Sequence, residues 1–325
     1  LHLALLLAGV EPGDEVVVLT EDRRAICTGM ARLGGKEMLS VERGMAVKAR
    51  WQAAPQEVAP VSQARSWNDA MAANKDVMER RVDEAVGFIH RTREKYDLPS
   101  MVSFSGGKDS LACLLLTLDA GLRLPVFFVD TGLEFPETVE HVHRVATKHG
   151  LQLIEEAAPA DAFFGNLDYF GPPGRDFRWC CKTNKLGPTV RAILKHYPQG
   201  VLSFIGQRRY ESEQRSEKPR VWRNPWTPGQ VGASPIQDWT ALHVWLYIFS
   251  KKEEYNPWYD WGLDRIGCFL CPASDLAELE LVMGRSSRSS EWETYLKRRA
   301  KEEGWTEDWL RYALWRWRRL PDAIR

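Results

Sequence analysis

The sequence predicts an α/β protein built on a doubly wound parallel sheet, with a small β-rich module ahead of it and a helical region behind it. Three observations carry this expectation. Short apolar runs at Val102 to Ser105, Val126 to Asp130, Leu151 to Glu155 and Val201 to Ile205 alternate with segments of helical spacing such as Glu137 to Lys148 and Thr189 to His196. That is the rhythm of a parallel sheet covered on both faces. The first run passes through Ser103-Phe104-Ser105-Gly106-Gly107-Lys108-Asp109-Ser110 into the apolar segment Leu111 to Leu118, a glycine turn between strand and helix. Asp130-Thr131-Gly132 ends the next run, and in such sheets the carboxyl ends of strands border the ligand crevice.

Composition sets the outer bounds. A chain of 325 residues with 44% hydrophobic residues can bury a proper core and is long enough for two or three domains. Lys plus Arg equals Asp plus Glu at 44 each, so bulk charge neither requires nor excludes a polyanion, and only local patches can speak to one. Six cysteines in a chain this long are not a secreted disulfide framework, and their clustering points to metal in a reducing compartment. The apolar opening Leu1 to Val10 is too short to span a bilayer and has neither a basic leader nor a small-residue cleavage site. The expectation is a cytoplasmic protein with no membrane partner. Its first residue is not Met, so the native start is left open.

Residues 1–52 read as a small β-barrel: Glu15 to Thr20 and Ala25 to Met30 are strands, Glu21 to Arg24 and Gly34-Gly35 are turns, and the stretch from Arg43 through Lys48 to Arg50 closes the module. These segments resemble a PUA domain, which implies contact with structured RNA; a structural β-cap is the plainer alternative. Residues 53–98 read as linker and helix, because Ala53 to Arg65 is rich in Ala, Pro, Gln and Ser while Trp67 to Tyr96 has helical spacing. Residues 99–260 read as the α/β domain that carries the glycine turn. Residues 261–325 are helical and rich in Trp and Arg, with Trp292, Trp305, Trp309, Trp315 and Trp317. From Gly284 onward eleven Lys or Arg face seven Asp or Glu, a surplus of four. Such tryptophans read first as core, and second as a platform for single-stranded RNA.

The glycine turn is an anion cradle. Gly106 and Gly107 allow a tight backbone whose N–H groups point inward, the helix N-terminus adds partial positive charge, Lys108 adds a full one, and Ser105 and Ser110 supply hydroxyls. Val102 and Asp109 stand where a Walker A loop needs Gly and Ser or Thr. The strand-SGGxDS-helix pattern instead resembles the PP-loop of the adenine nucleotide α-hydrolase-like superfamily. This implies that Ser103, Ser105, Gly106, Gly107, Lys108, Asp109 and Ser110 hold the phosphates of ATP or of an adenylyl sulfate, and that Asp130, Thr131 and Gly132 border the adenosine. Lys108, Asp109 and Ser110 are the expected catalytic residues, with Asp109 positioning Mg²⁺ or the loop itself.

Cys180-Cys181 and Cys268-Phe-Leu-Cys271 are two pairs eighty-eight residues apart that can meet at one metal site. Neighbouring cysteines must splay to reach one centre, which a multi-iron cluster accommodates more easily than a single zinc. Zinc is the alternative. Cys113 reads as core and Cys27 as a strand residue. The cysteine set downstream of the glycine loop is similar to the [4Fe-4S] adenylyl sulfate reductases of the phosphoadenosine phosphosulfate (PAPS) reductase family, in which a lysine at the place of Lys185 lies near the cluster. The stretch Gly206-Gln207-Arg208-Arg209-Tyr210-Glu211-Ser212 with Arg215 resembles that family's anion clamp, which assigns Gly206, Arg208, Arg209 and Arg215 to the substrate. Pro235 to Thr240 and Tyr255-Asn256-Pro257 extend the likeness over roughly residues 100–275.

Reductases of this family carry a cysteine in a Glu-Cys-Gly-Leu-His tail, whereas no cysteine follows Cys271 here and the sequence closes on Arg-Leu-Pro-Asp-Ala-Ile-Arg. The resemblance therefore runs to archaeal proteins that join a PUA domain to a PAPS-reductase-like domain. The leading expectation is a [4Fe-4S] PP-loop enzyme acting in sulfur transfer onto RNA such as tRNA. A cluster held by four cysteines has no open iron, which counts against a direct copy of enzymes that carry sulfide there. The alternatives are a PAPS or adenylyl sulfate reductase that uses an external thiol, and a non-catalytic RNA-binding or redox-sensing protein. The sulfur or electron donor and the oligomeric state, a homodimer included, are not legible.

Overall fold

The computed structural model of the chain describes residues 9–41, 45–58, 66–286 and 289–320. It divides into two compact units, one of residues 1–64 with 274–285 and one of residues 65–273 with 286–325. Among the described residues no helix is long and apolar enough to cross a membrane.

In the first unit, β1 (Glu15–Leu19), β2 (Ala25–Ala31) and β3 (Val47–Gln56) form an antiparallel sheet in sequence order. Both expected strands are present. Arg43 and Gly44 lie outside the described residues. β3 extends through Gln56, which pairs with Ala25, so its end overlaps the stretch whose composition reads as linker: ladder pairing outweighs the local Ala and Pro content. Gly29 permits the close approach of β2 to β3, because a Cβ there would sit 2.4 Å from the Lys48 carbonyl oxygen. Arg32 pairs with Asp275 at 2.6 Å, tying the 274–285 segment to this unit.

In the second unit, β4 (Ser100–Ser103), β5 (Val126–Asp130), β6 (Leu153–Ala157), β7 (Val201–Ile205), β8 (Val221–Arg223) and β9 (Gln230–Ala233) form one sheet of order β6-β5-β4-β7-β9-β8. All neighbours are parallel except β8, an antiparallel edge strand on β9. The sequence pattern missed the last two strands because they are three and four residues long and Gly232 sits at the centre of their pairing, where the Trp222 ring fills the side-chain space. β4 begins and ends two residues earlier than the apolar run suggests, which places Ser105 in the loop.

Helices cover both faces. α1 (Trp67–Ala73) and α2 (Lys75–Tyr96) replace the single helix expected over this stretch, with a break at Asn74. α3 (Lys108–Asp119), α4 (Pro136–Lys148), α5 (Gly187–His196) and α6 (Ala241–Ser250) follow. Alternate strand residues point to opposite faces: Val102, Val126, Phe128, Leu202 and Phe204 pack with Leu111, Leu114, Ile89 and Trp239 in the larger core. Met101, Phe127, Ile154 and Val201 pack with Ala192 and Ile193 of α5 in the smaller one. From β4 the chain runs to β5 and β6 on one side, while β7 and β9 lie on the other. The order therefore reverses between β4 and β7, the point where such sheets open a crevice.

Candidate nucleotide and thiol site

The glycine loop lies at that reversal. Gly106 takes φ +74°, a left-handed backbone that favours glycine, and a Cβ there would sit 2.7 Å from Thr138 Cγ2 of α4. Ser110 Oγ donates to the Gly107 carbonyl at 2.8 Å and accepts from the Ser105 N–H at 3.2 Å, closing the turn. The N–H groups of Gly106, Gly107 and Asp109 find no acceptor among the described residues, so the loop presents open donors at the start of α3. Gly206, at the end of β7, packs against this turn: a Cβ would lie 2.3 Å from the Asp109 carbonyl oxygen. Only glycine fits there, which gives this residue a packing reason independent of any ligand.

Asp109 holds the loop. Its carboxylate pairs with Arg208 and, at 3.4 Å, with Lys108 Nζ. All three side chains are largely buried. Burial alone would raise the Asp109 carboxyl, but Lys108 and Arg208 outweigh it and hold the group below the usual carboxylate range. Lys108 Nζ also donates to the Asp264 carbonyl at 2.9 Å and lies 5.1 Å from the centre of the Tyr259 ring. The Tyr259 hydroxyl accepts from the Lys108 N–H at 2.8 Å. Burial, with Asp109 nearby, pushes that phenol up, so it stays protonated.

The other two sequence-assigned arginines stand apart from this network. Arg209 pairs with Asp238 at 2.6 Å and Arg215 with Glu211, both in partly exposed positions. Of the three, Arg208 is the one brought to the loop.

Asp130, Thr131 and Gly132 connect the crevice to the cysteines. Asp130 Oδ1 accepts from the Gly132 N–H at 2.8 Å, and Glu134 Oε2 accepts from both the N–H and the hydroxyl of Thr131 at 2.7 Å. Thr131 Oγ1 lies 3.7 Å from Cys268 Sγ, and its carbonyl accepts from Asn184 Nδ2 at 3.0 Å. Burial raises the Glu134 carboxyl; the Thr131 hydrogen bonds oppose this and Asp130 adds to it.

The four cysteines converge. Cys180 lies within electrostatic reach of Cys181, Cys268 and Cys271, its thiol raised first by its hydrogen bond to Cys181 and then by burial. Cys181 opens a π-helical segment, Cys181–Leu186, a widened turn often used at functional sites. Its thiol is lowered by the Cys180 hydrogen bond, against burial, and further by Lys185, Arg178 and Arg265. Burial, then Glu134 and Cys271, push the Cys268 thiol up to about 12. Among the described residues no three His, Cys, Asp or Glu side chains enclose a single metal ion. Cys113 is fully buried in the larger core and Cys27 belongs to β2 of the other unit.

Sequence reasoning missed Tyr259, the Asp264 carbonyl, Glu134 and Asn184. Tyr259 lies two residues past Tyr255-Asn256-Pro257, the stretch noted for its likeness, and its partner is 151 residues away. Thr131 and Asn184 are separated by 53 residues. No local spacing could signal either pairing.

A PUA domain matches residues 8–51. An uncharacterized protein of Methanocaldococcus jannaschii is 37% identical over 316 residues, covering 95% of this chain and 65% of that protein. A second protein of the same organism is 34% identical, covering 79% of this chain and 62% of that one. The chain thus spans less than two thirds of the length of either. The adenosine 5′-phosphosulfate reductase of Chelativorans sp. is 27% identical, covering 63% of this chain and 78% of that enzyme. Among solved structures, the phosphoadenylyl-sulfate reductase of Candida auris superposes with a TM-score of 0.46 at 19% identity, covering 64% of this chain and 98% of that one. The phosphoadenosine phosphosulfate reductase domain matches residues 99–274, more than half of the chain, from the lead-in to the glycine loop to just past the second cysteine pair, and the chain belongs to that family.

Proposed function

We propose that the chain is a PP-loop enzyme that binds ATP or an adenylyl nucleotide at residues 105–110, holds an iron–sulfur cluster on Cys180, Cys181, Cys268 and Cys271, and acts in sulfur transfer onto RNA. The observation that carries this reading is the segment from Tyr259 to Cys271. Its Tyr259 hydroxyl and Asp264 carbonyl engage Lys108 at the loop, and Cys268 at its far end lies against Thr131. One short stretch therefore borders both the anion cradle and the thiols, so a nucleotide-activated acceptor and a sulfur-handling centre would share one cavity wall.

The donor set fits a cluster. Cys180 lies within electrostatic reach of the other three thiols, and Cys268 of Cys271, so thiols from two distant pairs, one of them adjacent in the chain, would offer separate ligands to separate irons. When bound, such a cluster would supply electrons or an electrostatic field at the substrate, its four cysteine ligands leaving no open iron for sulfide. The remaining work falls to the chain: the Gly106, Gly107 and Asp109 amides receive phosphate oxygens, Asp109 and Arg208 keep the turn in shape, and Lys108 stabilises charge developing on the phosphates. The PUA domain at residues 8–51 supports RNA as the acceptor, with Lys48 exposed on β3.

A second reading, reduction of an adenylyl sulfate, is favoured by the 27% identity to an adenosine 5′-phosphosulfate reductase. Among the cysteines outside the four at the site, Cys113 is fully buried in the larger core, so this reading would use a thiol brought to the site from elsewhere.

The metal assignment is tested on anaerobically purified protein. About four irons and four labile sulfides per chain are expected for one cubane, lost on replacing any of Cys180, Cys181, Cys268 or Cys271 with Ser and retained in Cys113→Ser. Stoichiometric zinc without sulfide would reject it.

A further inference from the structure

Four exposed cations border the thiols: Arg178, Lys182, Lys185 and Arg265. Arg178, Lys185 and Arg265 lie within electrostatic reach of Cys181, and Lys182 is its neighbour in the chain. None of the four side chains has a carboxylate or other hydrogen-bonding partner among the described residues, although the Lys185 carbonyl accepts from the Thr189 hydroxyl at 2.8 Å. In a chain whose charges balance at 44 against 44, a cluster of unpaired cations repels itself, and a bound anion relieves that repulsion.

An exposed ring is linked by ring packing to Trp179, the residue between Arg178 and Cys180. Tyr169 is 83% exposed. It packs edge-on to Phe170 with centroids 4.8 Å apart, and Phe170 stacks on Trp179 at 5.1 Å. Trp179 is fixed by its indole N–H, which donates to the Gly171 carbonyl at 3.1 Å, and it directly precedes Cys180. An aromatic ladder thus runs from the first cysteine pair out to a solvent-facing ring. Cations alone would suit any polyanion, such as an acidic protein segment. Cations next to an anchored, exposed aromatic suit a polymer that carries both phosphates and free base faces.

We infer that Tyr169, Arg178, Lys182, Lys185 and Arg265 form a binding surface for an unpaired RNA strand, with phosphates on the cations and one base stacked on Tyr169. Arg178 and Trp179 directly precede Cys180, and Arg178, Lys185 and Arg265 act on the Cys181 thiol, so a strand held here would pass close to the cysteines. A duplex does not fit as well, because its bases are stacked on one another and offer no free face. This inference rests on the reading of RNA as acceptor, and locates that RNA on the α/β unit.

The test uses the full chain with its metal, a short single-stranded RNA of mixed sequence, the same sequence as a duplex, and polyglutamate. Tyr169→Ala should weaken single-strand binding about tenfold, as expected for one stacked base, without altering its salt dependence. Tyr169→Phe should restore it. Arg178→Ala combined with Lys182→Ala should flatten the slope of log affinity against log salt by roughly 1.4, two single-strand phosphate contacts' worth. Iron content and ATP affinity serve as checks that the variants fold. Wild-type binding that survives all these changes would overturn the surface while leaving RNA as acceptor intact. No binding of any RNA to the wild type at low salt would remove the acceptor reading and the surface with it. Equal losses for polyglutamate and RNA, with Tyr169→Ala silent, would mark an acidic-protein site and overturn the inference.

Discussion

The cations of the glycine loop and those of the thiol rim carry the same charge but sit in opposite surroundings. Lys108 and Arg208 are buried and share the Asp109 carboxylate between them. Arg178, Lys182, Lys185 and Arg265 are exposed, and none has a carboxylate partner among the described residues, although three of them act on the Cys181 thiol. A buried charge without a partner is costly, so the loop cations had to be neutralised by the protein itself, and their first duty is to hold the turn that aims the amides. An exposed charge pays little to stay unpaired, so the rim cations remain free for a ligand. Substitutions in the two regions should therefore separate stability from binding.

The largest effect is expected at Asp109. Asp109→Ala leaves Lys108 and Arg208 buried without their counter-charge and should cost about 3–5 kcal/mol of stability, read as a lower urea midpoint at unchanged slope. A loss below about 0.5 kcal/mol would mean that water reaches the pair and that the contrast with the rim is illusory.

Acid should resolve a second buried group beside the loop. His141 of α4 is fully buried, packs edge-on to Phe104 at 5.7 Å and has no partner on either ring nitrogen among the described residues. Burial, aided by Arg144 and opposed by Glu253, lowers it from 6.5 to about 4. The folded state thus binds its proton less readily than the unfolded state. Its contribution is full above pH 6.5 and is lost as pH falls toward 4, on the order of 3 kcal/mol in all. The Asp109 carboxyl is also lowered, so its contribution is full above 3.8 and is lost only below that value. Replacing His141 with Leu should flatten the stability profile between pH 6.5 and 4 and leave the steeper fall below it. An unchanged profile would show that His141 is hydrated.

Lys108→Ala should be milder, because Arg208 still neutralises Asp109. Loss of one charge-assisted contact should weaken ATP by about 1.5–3 kcal/mol, measured by calorimetry. Unchanged affinity would place the nucleotide elsewhere. At the rim, Arg178→Ala should shift stability by less than about 0.5 kcal/mol. A larger loss would mean that the guanidinium is structurally engaged.

The same contrast explains what the sequence could reveal. Ser105 through Ser110 are contiguous, and the chemistry of an anion loop is local, so these six residues announce it. The paired cysteines announce themselves for the same reason. Arg208 was read as a substrate clamp, yet its burial against Asp109, ninety-nine residues earlier, depends on β7 lying beside β4. The roles of Tyr259, Glu134 and Asn184 likewise exist only once distant segments meet. The tryptophans of the C-terminal region divide along the same line: Trp292 and Trp315 are buried against each other with centroids 5.0 Å apart, as helical spacing suggests. The exposed ring of Tyr169, joined through Phe170 to Trp179, lay in a stretch with no pattern at all.

The reaction itself tests the central claim most directly. Anaerobic full-length protein carrying its metal is given ATP, sulfide and unfractionated tRNA in one vessel, and adenylyl sulfate with a small thiol in another. Sulfur transfer through nucleotide activation predicts tRNA-dependent pyrophosphate release with a new thionucleoside in the first vessel, abolished in Lys108→Ala, and no sulfite in the second. Sulfite in the second vessel with neither pyrophosphate nor thionucleoside in the first would contradict it and make this chain a reductase.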